Sequence, residues 1–100
     1  MRSVISYWAL EGGLENRRSI EEAMAEAQAS GFDGIELAIA EEGVLSVTST
    51  RADCLAIRDA ARRHGLCLET VASGISWVHC PTHPDPAVRE RSIELQAQAL

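Results

Sequence analysis

The stretch Ser30-Gly31-Phe32-Asp33-Gly34-Ile35-Glu36-Leu37 decides the fold. A helix of small residues ends at Gly31, where a backbone with positive φ is wanted, and an apolar strand follows. That strand carries a carboxylate. The same order returns in His64-Gly65-Leu66-Cys67-Leu68-Glu69. The two glycines lie about one strand–helix unit apart, roughly 30 residues. A chain built from repeats of this unit is expected to be an α/β domain with a parallel sheet, its site where the strands end.

Outward from that stretch, residues 3–8 are β-rich and alternate little, as in a strand covered on both faces. Residues 11–16 break the pattern as a loop. Its Gly12-Gly13 pair lacks the GxxxxGK[ST] context of a phosphate cradle. Ser19-Ile20-Glu21-Glu22 has the form of a capping box, and Ile20, Ala23, Met24 and Ala27 follow at helical spacing. A first helix is predicted over 19–30. In the second strand, 32–38, Ile35 and Leu37 share the face turned to the helices, and Gly34, Glu36 and Ala38 share the other. Residues 41–49 form a loop or short turn. Thr50 and Asp53 are a weaker capping pair for a second helix with a Cys54, Ile57, Ala61 stripe. Arg62-Arg63-His64 suit the negative end of its dipole, and Gly65 closes it. A third strand spans 66–72, and a loop spans 73–83. Asp85-Pro86 opens a third helix with Val88, Leu95 and Ala99 on one face.

The order is β-α-β-α-β-α, and nothing stops the third helix before Leu100. A (β/α)8 TIM barrel uses about 31 residues per unit, so three units account for this length. Residues 1–100 are therefore expected to be the first three βα units of such a barrel, the truncated N-terminal part of a single domain. The rival, a self-contained three-strand α/β domain, would carry two unprotected sheet edges and a small core.

Composition narrows the chemistry. The chain has a net charge of −6, and its nine basic residues are all Arg. Without Lys there is no Schiff-base nucleophile and no P-loop lysine. The acidic balance argues against nucleic acid, whose phosphates call for basic patches. No apolar run approaches the ~18 residues of a membrane span, and the N-terminus lacks a signal core. A cytoplasmic protein without a membrane partner is expected. Cys54, Cys67 and Cys80 are odd in number and widely spaced, the pattern of free, buried thiols.

Four pieces in order, Gly31–Leu37, then Ala60-Ala61-Arg62-Arg63-His64-Gly65-Leu66, Ala72-Ser73-Gly74-Ile75-Ser76-Trp77 and Asp85-Pro86-Ala87-Val88-Arg89, resemble the sugar phosphate isomerase/epimerase family of xylose isomerase-like TIM barrels. The resemblance covers nearly the whole chain. It implies isomerisation or epimerisation of a ketose or ketose phosphate by metal-assisted proton transfer next to a carbonyl. It also implies a divalent metal (Mn, Mg, Co or Zn) whose ligands lie on later strands, outside residues 1–100. These 100 residues alone are accordingly expected to be inactive. The resemblance implies a sugar or sugar phosphate as ligand and permits a homo-oligomer. Two alternatives stand beside it: a dehydratase or isomerase of a cyclitol or hydroxy-acid from the same superfamily, and a non-catalytic interaction module.

What this segment would contribute is a wall of the substrate pocket, from Trp8, Glu36, Ser73 and Trp77. Tyr7 competes with Trp8, because neighbours on a strand point oppositely; parity with Val4 and Ser6 favours Trp8. Glu36 contacts substrate hydroxyls or serves as a structural carboxylate, and either role requires a partner. Glu69, at a similar height, is expected to turn outward to Arg62 or Arg63. His79, Cys80 and His83 stand where relatives are less His-rich. Three donors in one loop read as a binding loop or surface rather than as zinc ligands. Arg17 and Arg18 are expected to be solvated, with either able to meet an anionic substrate.

Overall fold

Caps and glycines set the element boundaries in the computed structural model, which describes residues 1–100. The elements are β1 (Val4–Ser6), α1 (Ile20–Ala29), β2 (Gly34–Ile39), α2 (Arg51–Arg63), β3 (Val71–Ser73), α3 (Ile75–Val78) and α4 (Pro86–Ala99). Gly31 and Gly65 close α1 and α2 at φ of 82° and 65°. The Ser19 hydroxyl accepts from the Glu22 amide at 3.4 Å, but the full reciprocal box forms at α2. There Thr50 Oγ1 accepts from the Asp53 amide, and Asp53 Oδ2 accepts from the Thr50 amide at 2.7 Å. The pair expected to be weaker is thus the complete one.

The strands are parallel in the order β1-β2-β3, so the chain is α/β with both sheet edges open. Ile35 and Leu37 are buried against Ala23, Met24 and Ala27 of α1 and Ala60 and Ala61 of α2. The period-2 reading of β2 therefore holds, with one face given to the helices.

Several boundaries differ from expectation. Pairing of β1 stops at Ser6, because a 3-10 turn over Tyr7–Ala9 follows, capped where the Ser6 hydroxyl accepts from the Trp8 amide. Residues 66–70 approach β2 through a single bridge, Gly34 with Cys67, so β3 is much shorter than 66–72. Within the expected 73–83 loop lies α3. The face of α4 that is buried centres on Ser92 and Leu95, with Val88 and Ala99 at its margin.

The surface is larger than the mass requires: 6251 Å², against roughly 5,500 Å² for a compact 10.8 kDa monomer. Part of the excess is an apolar groove of about 320 Å³ between α2 and β3, lined by Leu37, Ile39, Leu45, Ile57 and Val71 among others. Because nothing covers this groove, Cys54 on its rim is exposed. Cys67 and Cys80 are half-buried, so all three thiols are free but none is buried as expected. No helix is long and apolar enough to cross a membrane.

Candidate functional site

The 3-10 turn that follows β1 decides where each of the two aromatics lies. Ile5 and Tyr7 point to the core, where Tyr7 is buried and its hydroxyl donates to the Arg18 carbonyl at 2.7 Å. Burial raises the phenol's pKa, only partly offset by that hydrogen bond. Trp8, partly buried at the margin of that core, lies beside Gly74 at the start of α3. One turn of α3 brings Trp77 over it, with ring centroids 4.6 Å apart and planes inclined by 30°. This is within the range of offset aromatic pairs. Strand parity does not apply to Trp8, because Tyr7–Ala9 form a 3-10 turn and not a continuation of β1.

The two indoles flank a cleft of about 160 Å³ whose floor includes Ala38 and whose rim includes Glu15 and Glu42. Asn16 also lines it. Its backbone is left-handed at φ 51°, a conformation Asn tolerates better than most residues. The side-chain amide donates to the carbonyls of Glu42 and Leu45 at 3.0 and 2.8 Å, which pins the loop after β2 to the loop after β1. Gly43 rests against Asn16 so closely that a Cβ there would overlap it. With its nitrogen committed, Asn16 keeps a buried Oδ1 that has no hydrogen-bond partner. Sequence reading placed Asn16 in a loop and missed this role; an Asn among glycines in a turn was the one signal available.

Beside the cleft, Glu41 joins three segments. Its carboxylate accepts from Arg91 of α4 at 2.5 Å and meets His79 Nε2 at 2.7 Å. Hydrogen bonds from Arg91 and then from His79 hold its pKa below the usual carboxylate range. No periodicity marks Glu41, because its partners lie far along the chain.

The other expected residues, Glu36 and Ser73, do not line this cleft. Glu36 occupies the non-helical face of β2, as its parity implies, and accepts from the Thr70 hydroxyl at 2.6 Å. Ser73 is exposed at the end of β3, and its hydroxyl accepts from the Ile75 amide at the start of α3. Glu69 is turned outward, but to Arg2 at 2.6 Å rather than to Arg62 or Arg63, since the strand start, not α2, runs beside it. Arg18 departs from the expected solvation: it is half-buried and pairs with Glu26 at 2.5 Å, because the first loop folds back over α1.

His79, Cys80 and His83 each have separate local partners. His79 pairs with Glu41, Cys80 Sγ lies 3.2 Å from Thr82 Oγ1, and His83 Nδ1 accepts from the Asp85 amide at 3.0 Å. Hydrogen bonding to Thr82 lowers the Cys80 pKa. No three His, Cys, Asp or Glu side chains converge as a metal would require. A larger, shallower depression of about 580 Å³ lies between the start of α1 and α2. Its Ser19 and Asp53 are already engaged in helix caps, so it presents little free chemistry.

No protein-family model matches this chain, and no curated protein matches it significantly.

Proposed function

We propose that this chain forms the first three units of a (β/α)8 barrel and binds a ketose or related polyhydroxy compound at its strand ends, as part of a metal-assisted isomerase or epimerase of a ketose or ketose phosphate. The observation that carries the reading is the Trp8–Trp77 pair, formed between the turn that follows β1 and the short helix α3 that follows β3. Indole faces suit the C–H faces of sugars, and ligands in α/β folds bind outside the carboxyl ends of the strands. The unpaired edges at β1 and β3 add support, since a barrel continues through such edges.

In such a reaction a proton leaves the carbon next to the carbonyl, and the electron pair moves into an enediolate. The proton then returns to the neighbouring carbon, or to the opposite face of the same carbon. The residues present here do not fit the implied metal, so no step is assigned to it. Their part is to hold and orient the substrate. A second reading, an interaction module that pairs through its sheet edges, draws on Val71 and Val4, which are 62% and 43% exposed at those edges.

Trp8 and Trp77 are the only tryptophans, so tryptophan fluorescence, excited selectively over Tyr7, reports on this cleft alone. Titration with ketoses is expected to give a saturable change that Trp77→Ala removes. No saturable change up to ~10 mM, well above a weak Kd of about 1 mM, would refute the sugar-binding reading. Light scattering that gives a dimer with blocked edges would instead favour the interaction module.

A further inference from the structure

The two indoles that flank the cleft also cover one another. A ring placed between them would need a van der Waals gap of roughly 3.5–4.0 Å on each side, and their centroids are only 4.6 Å apart. The space beside them, about 160 Å³, is below the ~300–1,000 Å³ of sites that enclose a whole small ligand. As the pair stands, no ligand ring reaches the covered face of Trp8. Trp8 is half-buried, whereas Trp77 and the neighbouring Val78 are 68% and 75% exposed. Trp77 is therefore the cover and Trp8 the covered ring.

What holds the cover down is α3, a single turn of four residues. A helix that short has no stability of its own, so its place depends on its ties. The first end is anchored in the sheet and the core: the Gly74 amide donates to the Ile39 carbonyl at 3.0 Å, and Ile75 is buried. Past Ile75 the ties change. No backbone hydrogen bond joins residues 76–83 to another element. Gln96 of α4 donates to the Ser76 hydroxyl at 2.9 Å, and His79 Nε2 meets the Glu41 carboxylate at 2.7 Å. Glu41 is itself held by Arg91, which also reaches Glu94 at 3.3 Å. The tie at the far end of α3 is thus a partly exposed side-chain pair, the kind that opens at low cost beside a packed core.

We propose that α3 is a latch over this cleft: Glu41, oriented by Arg91, holds His79 and so keeps Trp77 on Trp8, and release of the His79–Glu41 contact lets a ligand ring in between the two indoles. Glu41 and His79 are then positioning residues that control access without touching the ligand. The latch is a property of the chain itself, and only its use as a gate for sugars rests on the sugar-binding reading above.

The test uses the full chain labelled with fluorotryptophan, which gives one fluorine NMR signal per indole, assigned through Trp77→Phe. Relaxation dispersion of the Trp8 signal measures the open population, and the exciton couplet of the indoles in circular dichroism reports the closed pair. His79→Ala removes the tie to α3 and leaves the Glu41–Arg91 pair in place. It should raise the open population about three- to tenfold, the worth of a partly exposed charge-assisted contact, and weaken the couplet. His79→Gln, which keeps a donor near the Nε2 position, should restore both to within about twofold of the parent. Glu41→Gln should open the latch in the same direction, and either variant decides the matter should the other fail to fold. Fructose, titrated by tryptophan fluorescence, should bind His79→Ala more tightly by the same factor as the open population rises, because a closed majority lowers apparent affinity in proportion. An unchanged open population and a full couplet in a folded His79→Ala or Glu41→Gln protein overturn the latch. An open population that rises with no gain in fructose affinity overturns its role as a gate. If no ketose binds parent or variant, the sugar reading falls, while the fluorine and dichroism results still decide the latch.

Discussion

Replacing Gly34 by Ala tests why the deciding stretch carries a glycine inside a strand. Gly34 begins β2 and sits between β1 and residue 67. A Cβ added there would lie 2.8 Å from the Cys67 carbonyl oxygen, would overlap Cys67 Sγ, and would touch Val4 Cγ2 at 3.4 Å. The thiol can rotate away, but the carbonyl is tied. It accepts from the Ile35 amide at 3.2 Å, and the Cys67 amide donates to Asp33 at 3.0 Å. Overpacking of this kind costs about 1–3 kcal/mol. Weakening one or two bridge hydrogen bonds adds about 1 kcal/mol. The lower chain entropy of unfolded Ala offsets about 0.4–1 kcal/mol. The net expectation is a loss of about 2 kcal/mol, a fall in Tm of roughly 8–16 °C for a domain of this size. Calorimetry or urea melts followed by circular dichroism measure it. Adding Cys67→Ala should recover only the share due to Sγ, because the carbonyl clash remains. A Gly34→Ala protein within ~0.5 kcal/mol of the parent, or full recovery in the double variant, would show that close backbone approach does not dictate this glycine.

Thr50→Ala should cost about 1 kcal/mol, the usual value of an N-cap, and more than Ser19→Ala, since only Thr50 takes part in a complete box; urea midpoints of the two variants decide the order. Asp33 accepts from the Ser3 amide at 2.7 Å and from its hydroxyl at 3.1 Å, and these bonds lower its pKa. A folded pKa below the unfolded one contributes stability above about pH 4 that is lost as pH falls through the folded value, so the urea midpoint should drop in acid, and Asp33→Asn should flatten that drop. Hydrogen bonding to Arg91 and Thr50 lowers Glu41 and Asp53 in the same direction. Arg91→Ala should raise hydrogen exchange along α4 while leaving α1 protected, because Glu41 is the tie between α4 and the loop after β2; equal protection of α4 in the variant would count against that tie.

The alternation in β2 and the two helix-closing glycines were legible because they depend on periods of 2 and 3.6 and on local φ. Parity also placed Glu36 on the face of β2 opposite Ile35 and Leu37. By contrast, Asn16, Glu41 and the partner of Glu69 were not legible. Each acts through a group brought near by the path of the whole chain, as Glu41 does through Arg91, fifty residues on. Strand lengths failed for a similar reason. Leu66–Thr70 has the composition of a strand, but pairing requires a neighbour in register, and only Cys67 finds one in Gly34.

From the sequence by itself came the α/β class, the unit length, the helix starts and stops, and the acidic, lysine-free surface. These follow from local sterics, capping and composition, which need no partner. Tertiary structure alone decided that Trp77 closes over Trp8, that Asn16 is left with an idle acceptor, and that Ser73 and Glu36 do not line the cleft. A short helix in an expected loop and a 3-10 turn in an expected strand made that difference. Both are set by which hydrogen bonds remain open once the sheet has formed, and that is a property of the assembled fold.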